Sequence, residues 1–117
     1  MSLDKIKEIL NREALPEFTS ILIGTEDGLP VVSTMNENFG QDNAGLLTVI
    51  LNSIELLKKI SDLGEMNYIV SVHENGGIFM AKIDSRHYML ITFNRKLKMG
   101  ILIFHVRRII REIRKYL

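Results

Sequence analysis

Apolar residues recur along this chain with two different periods, and the switches between them mark out its elements. Leu3, Ile6, Ile9 and Leu10 stand at helical spacing with charges between them, behind Ser2, a residue type that caps helices. Pro16 disfavours the helical region for the residue before it, so this helix ends by about Leu15. Residues 18–24 and 29–35 then form two β-rich arms around Glu26-Asp27-Gly28, whose Asp-Gly step supplies the positive φ angles of a tight hairpin. Pro30 has no backbone N–H, which puts the second arm at a sheet edge and adds the later strands beside the first. The polar link 36–42 reads as a loop. Asn43 caps a central helix over about 44–63, closed by Gly64 as a left-handed cap.

Three strands follow, over residues 66–74, 78–84 and 88–94. In the first, Tyr68, Val70 and Val72 alternate with Asn67, Ser71 and His73. Asn75-Gly76-Gly77 and Ser85-Arg86-His87 are short hairpin connections, so the strands form an antiparallel meander. After a loop over 95–99, Gly100 opens a final helix with Leu102, Val106, Ile109, Ile110 and Ile113 on its apolar side. The order α-β-β-α-β-β-β-α predicts an α+β sandwich built on a five-stranded antiparallel sheet. With 66–74 at the edge opposite 29–35, the central helix crosses one face and the terminal helices cover the other. A helix of about 20 residues spans roughly 30 Å, ample for five strands about 4.8 Å apart.

The central helix carries more apolar surface than one core needs. Its aliphatic residues, from Leu46 to Leu63, spread over roughly 240° of its circumference, where a helix lying on one core uses little more than about 100°. Either the helix is sunk deep in its own domain or its extra face meets a second subunit; the small size of the chain favours the second. The spread assigns Val49, Leu56, Ile60 and Leu63 to the partner and Leu47, Ile50, Leu51 and Ile54 to the domain's own sheet. Tyr68, Val70 and Val72 would lie in the strand that pairs with its symmetry mate, which also removes an exposed edge. Only the strip Thr48, Asn52, Glu55, Lys59 and Asp62 is consistently polar.

Composition narrows the picture further. A length of 117 residues fits a single domain over 1–117 with one core. The absence of cysteine excludes disulfides, thiolate metal sites and a cysteine nucleophile. Apolar runs are too short to cross a bilayer, and charges near the N-terminus stand where a secretion signal would be apolar, so the expected location is cytoplasmic. The net charge of +1 conceals an asymmetry: residues 95–117 carry eight lysines and arginines against Glu112 alone.

Chemistry is sparse. No Walker loop, HExxH pair or dinucleotide-binding glycine turn is present. Gly76-Gly77 joins two strands and has no helix N-terminus behind it to hold a phosphate. His73, His87 and His105 share no ligand-like spacing, and Asp27 is accounted for by its turn. No catalytic residue, cofactor or metal is assigned. Arg107, Arg111, Arg114 and Lys115 form a basic row able to neutralise phosphates of nucleic acid or a membrane surface. Tyr116 is the one aromatic residue read beside them, so specific nucleic-acid binding is not expected and a solvated face is the simpler reading.

Asp27-Gly28-Leu29-Pro30 in the first hairpin, the long aliphatic helix ending in Leu63-Gly64, and Gly100 introducing the last helix resemble, in order and spacing, the roadblock family of small domains. The resemblance covers nearly the whole chain. It implies a profilin-like sandwich that dimerises through the central helix and third strand, and a non-enzymatic role in regulating or scaffolding Ras-like small GTPases. Within the family the alternative role is a structural adaptor such as a dynein-type motor light chain; a nucleic-acid-binding module is the weakest reading. The arginine-rich end departs from typical members. On the leading reading, the GTPase meets Thr48, Asn52, Glu55 and Lys59 on the paired central helices.

Overall fold

The computed structural model describes residues 1–34 and 37–117, and the side chains of all of these except residues 37–42 and Ile60. The elements run α1 (Leu3–Glu13), β1 (Phe18–Thr25), β2 (Pro30–Ser33), α2 (Glu37–Ser61), β3 (Ile69–His73), β4 (Gly76–Lys82), β5 (His87–Asn94) and α3 (Met99–Arg114). The strands form one antiparallel sheet in the order β2-β1-β5-β4-β3, so the hairpin arm with Pro30 and the strand after α2 are the two edges, as expected. Met35, the end expected for the second arm, and Asn36 lie outside the described residues.

The sheet carries two apolar layers. On one face Ile21, Ile23, Phe79, Ala81, Ile83, Met89 and Ile91 pack against Ile6, Ile9 and Leu10 of α1 and Leu102, Val106, Ile109 and Ile113 of α3. On the other, Met80 and Tyr88 pack against Leu47 and Leu51 of α2. The period of two along β4 and β5 divides their side chains between these layers, which is how five short strands serve both.

Local chemistry departs from expectation at several points. Ser2 occupies the N-cap of α1, yet its side chain makes no capping bond; its backbone N–H donates to Tyr116 O at 2.9 Å, tying the chain start to the end of α3. In the β1–β2 turn only Gly28 has positive φ (+85°), with Gly28 N–H donating to Thr25 O at 3.0 Å and Thr25 N–H to Leu29 O at 2.8 Å. The turn is therefore the longer kind, with one left-handed glycine, and Asp27 keeps ordinary backbone. Helix α2 begins at Glu37, so residues 37–42 are helical where a loop was expected and Asn43 lies inside the helix, not at its cap. Extending a nucleated helix costs less than starting one, which lets it run through poor formers such as Gly40.

At the other end of α2 the left-handed residue closest to the helix is Asp62 (φ +51°), with Leu63 N–H reaching Lys58 O at 3.5 Å; Gly64 (φ +77°) follows beyond it. Gly76 and Gly77 belong to β4, leaving Glu74-Asn75 as the β3–β4 connection. A Cβ on Gly76 would stand 2.1 Å from Phe93 O, and one on Gly77 2.4 Å from the Phe93 ring, so these glycines serve close packing rather than a turn. His87 likewise begins β5 instead of ending the preceding connection.

Candidate interaction surface

The rotation of α2 is set by small residues. A Cβ on Gly24 of β1 would lie 3.4 Å from Ala44 Cβ, and one on Gly28 3.2 Å from Gly45 Cα, so the first part of the helix sits nearly against the backbone of the opening hairpin. That contact turns the Ala44–Thr48 side inward. Thr48, expected on the outer polar strip, is only 9% exposed, and its hydroxyl donates to Thr25 O at 3.0 Å while lying 3.2 Å from Ala44 O. The buried stripe is thus Ala44, Leu47, Thr48 and Leu51, at helical spacing.

The remaining polar positions are split by the same rotation. Glu55 is half-buried, with Oε2 paired to Lys58 Nζ at 2.7 Å and Oε1 shut from solvent without a partner among the described residues. Asn52 and Lys59 differ from it in burial: both are exposed, and Asn52 Oδ1 accepts from the Tyr88 hydroxyl at 3.4 Å. Burial, then the negative charges of Glu26 and Glu55, push that hydroxyl's pKa upward. Lys58 also meets Glu65 at 3.0 Å; hydrogen bonds to Glu55 and Glu65 raise its pKa, and the bond from Lys58 lowers that of Glu65.

What α2 turns outward is apolar. Leu46, Val49, Ile50, Leu56 and Leu57 are all exposed, Leu56 by 64%, and Leu63 beyond the helix is exposed as well. Ile50 was expected against the sheet and instead joins this outer face, because the inward turn of Ala44 and Thr48 rotates it away. The side chain of Ile60 lies outside the description. Of the strand residues expected at the same interface, Val72 is 75% exposed, Val70 packs partly on the α1–α3 layer, and Tyr68 precedes β3 and stacks on Phe79 with ring centres 5.5 Å apart. The outer edge of β3 pairs with no strand among the described residues.

No group of acidic or histidine side chains able to hold a metal occurs among the described residues. An open recess of about 750 Å³ between two turns gathers Glu26, Asp27, Asp84, Arg86 and His87, but Asp84 is committed to its own turn. Its Oδ1 accepts from the backbone N–H groups of Arg86 and His87, both at 2.8 Å, and meets His87 Nδ1 at 2.9 Å. Burial opposes ionisation of Asp84, yet the Arg86 N–H and the His87 ring together hold its carboxyl below the usual range.

On α3, Arg108 reaches Glu13 at 3.3 Å, Arg114 Nε donates to Ile83 O at 2.6 Å and Lys115 meets Glu112 at 3.4 Å. Arg107 and Arg111 are exposed with no ion-pair partner among the described residues. Phe104, 65% exposed, shares their face; its place among the core-type residues that open the helix hides it in the sequence.

Five strands in this order, with one long helix on one face and two terminal helices on the other, decide the architecture. The chain has the roadblock fold. Its structure is similar to that of a roadblock/LC7 domain from Streptomyces avermitilis (TM-score 0.82, 16% identity, covering 94% of this chain and 92% of that one). It is also similar to Myxococcus xanthus MglB (TM-score 0.88, 15% identity, 97% and 88% covered) and to an MglB with a tetrameric arrangement (TM-score 0.81, 15% identity, 98% and 92%). Neither a protein-family model nor a curated protein matches the sequence.

Proposed function

We propose that this chain is a single-domain, non-enzymatic homodimer that acts in the cytoplasm by binding a Ras-like small GTPase and altering its nucleotide cycle or location. The observation that carries the reading is the outward apolar face of α2 on a roadblock fold. Leu46, Val49, Ile50, Leu56 and Leu57 form an exposed apolar face of a kind uncommon on monomers. Val49, Leu56, Ile60 and Leu63 would meet their copies across a two-fold axis, with Val72 at the open edge of β3 beside them. Val70 would contribute through the same strand and Tyr68 from the position just before it, both while packing in their own domain. An MglB in a tetrameric arrangement supports self-association within this fold. No helix among the described residues is long and apolar enough to cross a membrane.

Pairing covers the apolar face and leaves the polar margin of each helix as a rigid platform. Asn52 and Lys59 are its outer members and the Glu55–Lys58 pair its inner border; Thr48 contributes by fixing the helix on β1. A platform that touches the switch segments ordered by the γ-phosphate binds the GTP and GDP states differently, and only that difference can shift the partner's equilibrium. These positions offer no arginine finger, so any acceleration of hydrolysis would act by repositioning the GTPase's own residues. The test is binding of the cognate GTPase, loaded with GDP or a GTP analogue, to wild type and to Glu55→Arg/Lys59→Glu. Nucleotide-dependent binding lost on charge reversal supports the reading; equal binding by both proteins contradicts it.

A further inference from the structure

We propose that the outward face of α3 docks this protein peripherally on an anionic lipid bilayer. Phe104, Arg107, Arg108 and Arg111 stand at i, i+3, i+4 and i+7, on the side of the helix opposite the buried Leu102, Val106, Ile109 and Ile113. Ile101 extends the exposed apolar group on this side, Met99 is partly exposed at the first turn nearer the buried side, and Lys98 flanks the start of the helix. An apolar tip ringed by cations is what an interfacial helix presents: the apolar side chains enter the boundary between headgroups and acyl chains while the cations meet lipid phosphates.

Local compensation leaves this face positive. Glu13 engages Arg108 and Glu112 engages Lys115, but Arg107, Arg111 and Lys98 have no acidic partner among the described residues. Exposing Phe104 and Ile101 to water beside uncompensated cations has no use in the chain's own core, since that layer is already filled by the opposite side of the helix. The face offers one aromatic ring, Phe104, and beside it the aliphatic Ile101, which suits acyl chains and gives nothing to base stacking, so a bilayer fits this face better than a nucleic acid. Because α1 and α3 cover one face of the sheet and α2 the other, docking through α3 leaves the α2 surface turned away from the membrane. Docking of this kind does not depend on what α2 binds.

The experiment is sedimentation of the full chain with vesicles of phosphatidylcholine alone, or with about one part in four phosphatidylserine, at low salt. Wild type is expected to pellet with the anionic vesicles and not with the neutral ones. Arg107→Glu/Arg111→Glu is expected to cut partitioning roughly tenfold or more, and Phe104→Ser several-fold, with circular dichroism unchanged because all three positions are exposed. Failure to pellet with anionic vesicles, equal pelleting of the charge-reversed variant, or tighter binding to a duplex oligonucleotide than to vesicles in the same buffer would overturn the proposal.

Discussion

Helix α3 buries Leu102, Val106, Ile109 and Ile113 and turns its arginines to solvent. Helix α2, on the other face of the same sheet, buries Ala44, Leu47, Thr48 and Leu51 and turns Leu46, Val49, Ile50, Leu56 and Leu57 outward. The first is ordinary amphipathic packing, in which the apolar stripe finds the core. In the second, close approach has displaced hydrophobicity as the factor that orients the helix. Gly24 and Gly28 bring the backbone of the hairpin within reach of Ala44 and Gly45, and several of the larger aliphatic residues are left facing solvent. A helix oriented this way keeps a broad apolar face exposed in the single chain.

This contrast can be broken most sharply in the cores. Ile109→Ala under α3 and Leu51→Ala under α2 should each cost about 2–5 kcal/mol in urea unfolding, because both side chains are fully enclosed. Next in size is Thr48→Lys, which would bury a charge against β1 and should cost about 2–4 kcal/mol. The neighbouring Asn52→Lys, at an exposed position where only the long bond from the Tyr88 hydroxyl is lost, should cost less than about 1.5 kcal/mol. Equal tolerance at the two sites would mean that α2 does not turn Thr48 inward.

The legibility of the two helices from sequence follows the same division. Both edges of the sheet can be read, one from Pro30 and the other from the long crossover after it, and the buried stripe of α3 can be read from its spacing. The rotation of α2 cannot, because its signal is a set of glycines distant in sequence: Gly24 and Gly28 mean little until the helix is laid across them. For the same reason Thr48 looks like a surface residue and Ile50 like a core one. Gly76-Gly77 looks like a turn because the demand for small residues comes from Phe93 on the neighbouring strand. Phe104 escapes notice because an apolar residue near a core stripe reads as core until its angle on the helix is counted.

Smaller effects sharpen the α1–α3 side. Asp84→Ala should cost about 1–2 kcal/mol by removing the acceptor for two backbone N–H groups and the His87 ring. Since the folded carboxyl titrates below its unfolded value, its contribution is complete above the usual carboxylate range near pH 4 and is lost as pH falls through the lower folded value. Urea midpoints of wild type and Asp84→Ala should therefore converge in strong acid. Arg108→Ala, which breaks a half-exposed pair with Glu13, should cost less than about 1 kcal/mol at low salt and less again at high salt.

The central claim is that the outward apolar face of α2 is a subunit interface, and solution mass tests it most directly. Light scattering at micromolar concentration should give twice the 13.4 kDa chain mass for wild type. Val49→Lys/Leu56→Lys should give the single-chain mass with an unchanged circular dichroism spectrum, since both positions are exposed in the isolated chain. A wild-type mass of one chain, or a dimer untouched by the two lysines, would contradict the claim.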